Sequence, residues 1–369
     1  MRRWLALVGT IALIQGCLPS REALWVLRDV AAGDQPSVLK ERTPAPARAA
    51  VRYTIEGRAH AADLYQPGEA PCAGIVLVPG ATRDGKDDAR LVAFANTLAR
   101  ARFAVLVPEI ASLRALRLRA RDAREVADAF AYLGSRPDLA PGGRAGIGAF
   151  SYAVGPALLA ALEPAIRDRV RFVLGVGGYH DVARVVTYCT TGFFRDERGA
   201  WRYLRPNAYG KWVFVLSNAD LLEDPGDRRA LSAMAERRLS DPAAPIEQLA
   251  QGLRPEGRSL YDLLANADPE RVPGLIAKLP RPIRDDMAAL DLANKDLRAL
   301  RARVNLIHGT NDSVIPYTES LALARALPHG LARLTVVGDL GHVELTGLGI
   351  RDAWRLWRAI DALLAEREK

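Results

Sequence analysis

Short apolar runs alternate with amphipathic segments along most of the chain. A continuous apolar run of this length is typical of a strand buried on both faces of a sheet. The segments between the runs repeat apolar residues every three or four positions, which predicts helices. Strict alternation of the two elements, with short connections, predicts a parallel sheet with helices on both faces. The predicted buried strands are CAGIVLVPG (72–80), FAVLVPE (103–109), RAGIGAF (144–150), VRFVLGVGG (170–178), RVNLIHG (303–309) and LARLTVVG (331–338).

Two regions depart from this alternation. VRYTIEGR (51–58) and HAADLYQP (60–67) are β-like segments around a glycine turn, which predicts an antiparallel hairpin. Residues 183–299 are rich in helix formers, proline and charge, which favours a helical cap inserted into one α/β domain over a separate second domain. The predicted helices there are KWVFVLSNADLL (211–222), RRALSAMAERRL (228–239), IEQLAQGL (246–253) and RDDMAALDL (284–292).

The N-terminal segment is typical of a signal peptide. Arg2 and Arg3 precede an apolar stretch from Trp4 to Ile14 that is too short to span a bilayer comfortably. The stretch ends in LIQGC, which resembles a bacterial lipobox. That resemblance implies cleavage before Cys17, lipidation of its thiol and a membrane-anchored place in the cell envelope, facing the periplasm in a Gram-negative cell. An ordinary secretory signal and an uncleaved anchor are the alternatives.

These features divide the chain into four parts. Residues 1–17 are the signal peptide, and residues 18–50 are a short helix followed by a linker containing TPAPA. The α/β core comprises residues 51–182 and 300–369, and the cap comprises residues 183–299.

Composition and charge narrow the classes of function. The chain has 369 residues, of which 49% are hydrophobic and 25% charged, so it is expected to be globular. Its formal net charge is +8. The densest basic run places Arg114, Arg117, Arg121 and Arg124 at helical spacing, which predicts a solvated helix face. No nucleic-acid-binding motif accompanies it, so we expect no nucleic-acid partner.

Cysteine usage indicates neither a disulfide framework nor a metal centre. If Cys17 carries the anchor, Cys72 and Cys189 remain, and they lie in different predicted regions. We expect two free buried thiols rather than a bridge. No Cys/His cluster with zinc-ligand spacing occurs, and no cofactor is expected.

Three polar residues follow predicted buried strands. Ser151 lies between a strand that ends at Phe150 and a helix, Asp312 follows VNLIH, and His342 follows LTVV. Functional sites of open α/β sheets form at this edge, where the strands end. Taken alone, Ser151 is equally consistent with an ordinary helix N-cap, since serine is a preferred capping residue.

The three residues occur in the order Ser, Asp, His, and the chain resembles the α/β-hydrolase superfamily. That superfamily carries a nucleophile elbow, G-x-S-x-G, followed by an acid and a histidine. Here the elbow is AFSYA, with Ala149 and Ala153 in place of the two glycines, HGTNDSVIP is similar to the acid loop, and GH at 341–342 to the histidine loop. The resemblance implies a mostly parallel eight-stranded sheet with helices on both faces and a helical cap.

The resemblance also implies a role for each residue. Ser151 is the nucleophile, His342 its general base and later the acid, and Asp312 orients the imidazole. The backbone N–H groups of Tyr152 and Ala81 form the oxyanion hole. Pro79 stands where the family often has histidine.

Other titratable residues near the predicted sheet edge were weighed as alternatives. Asp181 is the rival to Asp312, whereas Asp339 lies too close in sequence to His342 to orient it easily. We expect His308 to support the acid loop, and Glu109 either to line the pocket or to form a structural hydrogen bond. His60, His180 and His329 are expected to be surface or loop residues.

The expected activity is hydrolysis of carboxylic esters, with an apolar acyl group, by an acyl-enzyme mechanism. The partners expected are an ester or lipid-like small molecule and, through the anchor, a membrane; oligomeric state is left open. The alternatives are a peptidase similar to prolyl oligopeptidases and a non-catalytic binding lipoprotein with the same fold.

Overall fold

The central feature of the computed structural model, which describes residues 20–338, 341 and 349–369, is one large sheet. In this part of the chain the strands are β1 (Ala47–Ile55), β2 (Arg58–Gln66), β3 (Ala73–Val78), β4 (Phe103–Pro108), β5 (Ala145–Phe150), β6 (Phe172–Val176), β7 (Phe193–Arg195), β8 (Trp201–Tyr203), β9 (Arg303–Gly309) and β10 (Ala332–Val337). Eight of them form a sheet in the order β1-β2-β4-β3-β5-β6-β9-β10. The pairings β1-β2 and β2-β4 are antiparallel and the other five are parallel, so the mostly parallel eight-stranded sheet is confirmed.

Helices cover both faces of the sheet. Those described are α1 (Arg21–Ala32), α2 (Val38–Arg42), α3 (Ala89–Arg100), α4 (Ala111–Arg114), α5 (Asp122–Gly134), α6 (Val154–Leu162), α7 (Val182–Thr191), α8 (Ala208–Ala219), α9 (Pro225–Ser240), α10 (Glu247–Ala250), α11 (Pro255–Ala265), α12 (Val272–Ala277), α13 (Arg281–Leu290), α14 (Tyr317–Ala326) and α15 (Ile350–Leu364). On β3, Val76 and Val78 pack against α5 and α6, whereas Ile75 and Leu77 share a core with α1, α3 and α15. This alternation explains why the buried strands are apolar at every position.

The N-terminal hairpin begins earlier than the sequence suggested. β1 and β2 pair from Ala47–Gln66 to Ile55–Arg58, and the turn at Glu56 and Gly57 has positive φ at both residues. Positive φ at two turn residues matches the right-handed twist of the strands. Residues 47–50, assigned to the linker, are therefore strand, because their partners in β2 extend the ladder.

The helix predicted before the linker is an integral part of the core. Ala23, Val26 and Leu27 of α1 are buried with residues of α3 and α15. The Asp29 carboxylate accepts hydrogen bonds from Lys40 Nζ at 2.8 Å and Thr97 Oγ1 at 2.6 Å. These contacts attach the segment to the sheet rather than leaving it as a connector.

The segment between β6 and β9 contains helices α7–α13 and has its own apolar core. Leu231, Met234, Leu260 and Leu263 are fully buried within it. The sequence predicted helices there but missed the hairpin of β7 and β8, whose turn is closed by Asp196 Oδ1 accepting the N–H of Ala200 at 3.0 Å. Strands of three residues are too short to show a period.

The arginine-rich run at 114–124 does not form one helix, contrary to the prediction. The chain turns between α4 and α5, where Leu116 has a φ of 55° and is buried against the cap core. Arg117 pairs with Asp220 of the cap at 2.8 Å, and Arg124 pairs with Asp128 at 3.3 Å. Burial of Leu116 and the ion pair of Arg117 with the cap outweigh the helical spacing, whereas the Arg124–Asp128 pair lies within α5.

Two further expectations concern thiols and membrane spans. Both described cysteines are free; Cys189 is buried as predicted, whereas Cys72 is half-buried. Among the described helices, none is both long and apolar enough to cross a bilayer.

Candidate active site

Ser151 occupies a strained turn between β5 and α6. Its φ is +55°, one of the few left-handed values at a non-glycine residue in the described chain. A Cβ makes this region costly by about 1–2 kcal/mol, and such outliers cluster at functional sites. Neither the short 3₁₀ turn at Ser151–Ala153 nor α6 has a side-chain cap. An N-cap serine would have β-region angles and accept a backbone N–H, so the capping interpretation is wrong.

Small neighbours make this turn possible. Ala149 and Ala153 are buried to 1% and 0% exposure, so alanine fills the places where the elbow motif has glycine. Gly148 and Gly155 have no room for a Cβ, which would lie 2.9 Å from Leu77 Cδ1 and 2.0 Å from Tyr179 Oη. The glycines required for close packing thus lie outside the motif, one position before it at Gly148 and two positions after it at Gly155.

The loop after β3 lies beside the serine. A Cβ built on Gly80 would be 3.9 Å from Ser151 Cβ and 3.7 Å from the Phe150 carbonyl oxygen. Ala81 follows this glycine, and both residues line the same cavity as Ser151 and Tyr152. The N–H of Tyr152, in the first turn, has no intrahelical acceptor. The oxyanion-hole assignment to Ala81 and Tyr152 stays a prediction that this placement supports.

Asp312 lies in the loop after β9 and is only 2% exposed. Its Oδ1 accepts the N–H groups of Val314 at 2.8 Å and Ile315 at 3.0 Å. The fully buried His308 ring lies 2.7 Å from Ser320 Oγ through Nδ1 and 2.9 Å from the Ile315 carbonyl through Nε2. His308 therefore holds the acid loop together, the supporting role predicted for it.

The remaining predicted site residues fall elsewhere. His342, Asp339 and Cys17 lie outside the described residues, so their assignments stay predictions. Asp181 caps α7 by accepting the N–H of Arg184 at 3.0 Å and is absent from the described cavity wall.

Two other residues named from the sequence have structural partners. Glu109 forms an ion pair with Arg114 at 2.7 Å rather than lining the cavity. His60 is not a surface residue, because its ring, 6% exposed, lies 3.0 Å from both Glu125 and Asp128. It closes an ion-pair cluster beside the hairpin.

A cavity of about 970 Å³ opens between Ser151 and the cap. This volume suits a small organic ligand. The cap contributes a mainly apolar wall, interrupted by the carboxylate of Asp286, whose pKa is raised by burial. The cap side chains of this wall include Val185, Val186, Val213, Phe214, Met287 and Leu290. In the described part of the chain, no three His, Cys, Asp or Glu side chains converge as metal ligands.

Tyr152 connects the serine turn to a buried polar group that the sequence did not reveal. Its hydroxyl lies 3.4 Å from Asp122 Oδ2, and its ring stacks on Tyr179 with centroids 6.1 Å apart. Burial raises the pKa of Tyr152 well above its usual value. Burial also raises the pKa of Asp122 to about 6, although hydrogen bonds from Ser112 and Arg119 oppose the rise. No motif marks this contact, because it joins residues distant in sequence.

Helix α8 ties the cap to the loops around the serine. The Tyr209 hydroxyl donates to the Ala81 carbonyl at 2.7 Å, and the Asn207 N–H donates to the Ser313 carbonyl at 2.7 Å. One end of this helix therefore contacts both the candidate oxyanion loop and the acid loop. Near its other end, Ser217 Oγ accepts the N–H of Leu118 at 3.0 Å.

One of the comparisons with known proteins, a solved structure with a TM-score of 0.56, supports the fold. No family profile matches the chain. Over 92 residues, 25% of the chain, it is 35% identical to 2-hydroxymuconate semialdehyde hydrolase of Pseudomonas putida, and the match spans only 31% of that relative. A solved structure named as a hydrolase from Legionella pneumophila is 12% identical, with a TM-score of 0.56 over 90% of this chain and 93% of that one. An esterase of Pyrobaculum calidifontis, 12% identical, aligns over 94% of this chain and 89% of its own with a TM-score of 0.49. The chain has the α/β-hydrolase fold, as its sequence predicted.

Proposed function

We propose that the protein is a serine hydrolase that cleaves carboxylic esters with an apolar acyl group. The observation that carries this proposal is the left-handed backbone of Ser151 at the end of β5, facing a cavity and the Gly80 loop. Packing does not require a strained residue at this position, because a glycine would adopt the same left-handed φ without strain. Presenting a hydroxyl at the sheet edge explains it.

The proposed reaction proceeds through an acyl-enzyme on Ser151. His342, assigned from the sequence, takes the hydroxyl proton as the oxygen attacks the ester carbonyl, and it then protonates the leaving alcohol. Asp312, fixed by two backbone N–H groups, orients the imidazole. The Ala81 and Tyr152 N–H groups stabilise the oxyanion. Water then attacks the acyl-enzyme by the same steps.

The cavity supports the choice of an apolar acyl group. Valines of α7 and α8 form much of the cap wall, and burial of a methylene against such a wall contributes about 0.8 kcal/mol. Among the alternatives, a peptidase gains no comparable support, because the two carboxylates of the described cavity wall each have an arginine partner. Asp88 pairs with Arg90 at 3.2 Å, and Asp286 lies 3.9 Å from Arg119.

We further propose, from the sequence, that Cys17 carries a lipid that anchors the protein to a membrane of the cell envelope. Incorporation of labelled palmitate in cells, lost in Cys17→Ser, is the expected result. Secretion of an unlabelled protein would instead favour an ordinary signal peptide.

Labelling by a fluorophosphonate tests the hydrolase proposal directly. The full chain should form a covalent adduct that Ser151→Ala abolishes. Ser217→Ala is the matched control, because Ser217 also lines the cavity but hydrogen-bonds to the Leu116 carbonyl at 3.2 Å. Labelling that survives Ser151→Ala, or a folded wild-type protein that is not labelled, would contradict the proposal and favour a binding protein.

A further inference from the structure

One face of α15 exposes large apolar residues among arginines. Ile350 is 92% exposed and Trp354 36%, and they are four residues apart on the helix. Arg351, Arg355 and Arg358 are also exposed and share this side at the same spacing. We call these five residues the α15 outer face. Tryptophan, isoleucine and arginine together are unusual on a surface that contacts only water.

The three arginines of this face differ in their contacts. Arg355 is held by the Val336 carbonyl at 3.1 Å and by Asp352 at 3.2 Å. Neither Arg351 nor Arg358 forms an ion pair with any residue that the structure describes. The face therefore presents uncompensated positive charge on a chain whose net charge is already +8.

The opposite side of α15 belongs to the core and to the cavity. Leu356 and Ile360 are buried, and both line the cavity that contains Ser151. One helix therefore separates the candidate active site from the outer face. A surface that contacts this face lies within about one helix diameter, roughly 10 Å, of the cavity wall.

The N-terminal end of the described chain lies against the same helix. The Ser20 N–H donates to Asp361 Oδ1 at 2.8 Å, and the Ser20 carbonyl accepts from Trp357 Nε1 at 2.9 Å. Trp357 is in edge contact with Trp354, with ring centroids 5.4 Å apart. Cys17 precedes Ser20 by three residues, which span at most about 11 Å. A lipid on Cys17 would therefore hold α15 beside the membrane.

We propose that the α15 outer face docks on the surface of an anionic phospholipid bilayer. Tryptophan prefers the headgroup region, and arginine is attracted to anionic lipid by about 1 kcal/mol per charge. A basic patch near the lipid anchor adds electrostatic attraction to the burial of the acyl chains. Docking fixes the orientation of the protein, with the cavity wall at α15 nearest the lipid.

Quenching by brominated lipids tests the proposal on the lipidated protein that begins at Cys17, which lacks Trp4 and is held in vesicles by its own lipid. Vesicles of brominated phosphatidylglycerol should quench part of the tryptophan fluorescence, and Trp354→Phe should remove most of that quenching. Trp201→Phe is the matched control, because Trp201 lies in the cap hairpin, where Nε1 donates to Glu270 at 2.8 Å. It should leave the quenching unchanged.

Charge reversal separates docking from general electrostatic attraction. Arg351→Glu with Arg358→Glu should lower the quenching, as should high salt or brominated phosphatidylcholine in place of phosphatidylglycerol. Arg298→Glu with Arg301→Glu makes the same charge change at exposed residues outside α15, in the segment before β9, and should have no effect.

Two outcomes would overturn the proposal. Equal quenching of the wild type and Trp354→Phe would mean that Trp354 does not reach the lipid, because the face is covered by a second copy of the protein. Equal losses of quenching in the two double-arginine variants would mean that the overall charge attracts the protein to the bilayer and that the α15 outer face has no special role. Neither measurement uses catalysis, so failure here leaves the hydrolase proposal standing.

Discussion

Ser151 holds a backbone conformation that its own Cβ makes unfavourable. The neighbouring alanines are buried and small, so the turn is tight on both sides. The fold keeps a serine there at a cost in stability. The free energy of unfolding should therefore rise when Ser151 is replaced by a residue that adopts the left-handed region without strain.

Ser151→Gly should be more stable to urea than Ser151→Ala by about 1 kcal/mol, because glycine adopts positive φ without strain. Both variants lack the hydroxyl, so the difference reports the backbone alone. The same pair at Ser259, inside α11, should show the opposite order, since alanine is favoured over glycine in a helix by about 1 kcal/mol. Equal stabilities at position 151 would mean that its φ relaxes.

Substitution of Asp312 and of Asp181 distinguishes between the two candidate acids. Asp312→Asn should lower kcat towards ester substrates by about 10³–10⁴-fold, because the imidazole loses its orienting charge. Asp181→Asn should leave kcat nearly unchanged, since asparagine also caps a helix. Steady-state kinetics on both variants decides between them. A large loss in Asp181→Asn alone would transfer the role of the acid.

Residue types on either side of Ser151 predicted the strand and the helix but not the value of φ. Serine before a helix is common as a cap, and only the tertiary packing distinguishes a capping serine from one on a strained turn. The support of the acid loop by His308 was predictable, because His308 lies at the end of β9, only four residues before Asp312. The contact between Tyr152 and Asp122 was not, since 30 residues separate them.

At the scale of elements, α8 is the link between cap and catalytic loops. Tyr209→Phe removes the hydroxyl that donates to the Ala81 carbonyl, at a cost of about 1 kcal/mol in positioning. We expect kcat to fall about fivefold with KM little changed. Tyr261→Phe, on α11 beneath Arg258, is the matched control and should have wild-type kinetics. A rise in KM with unchanged kcat would instead indicate that Tyr209 contacts the substrate.

Helix α14 is joined to the loop before α7 through a buried carboxylate. Glu319 Oε2 accepts the N–H groups of His180 at 3.1 Å and Asp181 at 2.8 Å. Burial raises the pKa of Glu319 to about 7, although these two hydrogen bonds oppose the rise. A folded pKa above the unfolded value of 4.5 means that the stability contributed by the protonated form is lost as pH rises towards 7.

Glu319→Gln keeps both acceptor contacts and removes the buried charge. The variant should match the wild type below pH 4.5 and become more stable than it by about 1–3 kcal/mol at pH 8. Urea unfolding across this range measures the difference. Glu69→Gln, at an exposed surface pair with Arg102, should show no such trend. A variant less stable than the wild type at pH 8 would mean that the carboxylate charge itself stabilises the fold.

The predicted strands were correct where burial alone determines the secondary structure. The apolar runs of β3 and β4 are buried at every position, so their sequences carry the signal. The prediction failed at 114–124, where helical spacing of arginines was outweighed by the turn at Leu116 and ion pairs to the cap. The spacing of charged residues along the sequence does not predict a helix when their ion-pair partners lie in a distant part of the chain.

At the scale of the whole molecule, α1 is a layer of the domain rather than an appendage. Its apolar side is buried with α3 and α15, and Arg367 binds Glu22 at 2.6 Å. The sequence predicted the helix but not its docking, because a short amphipathic segment before a proline-containing stretch is typical of a connector. The chain should therefore unfold with α1 and the sheet in one cooperative step.

Asp29→Ala tests that cooperativity. Asp29 is 1% exposed and accepts hydrogen bonds from Ser37, Lys40 and Thr97, so its loss leaves buried donors unpaired and should cost about 2–3 kcal/mol. Burial raises the pKa of Asp29, but these hydrogen bonds outweigh it and hold the pKa below its ordinary value of 3.8. The stabilisation is therefore present above pH 3.8 and disappears as pH falls through the folded pKa.

The measurement is urea unfolding followed by circular dichroism at pH 7 and at pH 3. A single transition that shifts to lower urea at pH 7, and a smaller shift at pH 3, would show that α1 and the sheet form one unit. Asp34→Ala, an exposed change two residues beyond the end of α1, should shift neither. A separate early transition in Asp29→Ala would mean instead that α1 detaches while the sheet stays folded. In that case the N-terminus would no longer be held beside α15, and lipid quenching of Trp354 should fall in the same variant.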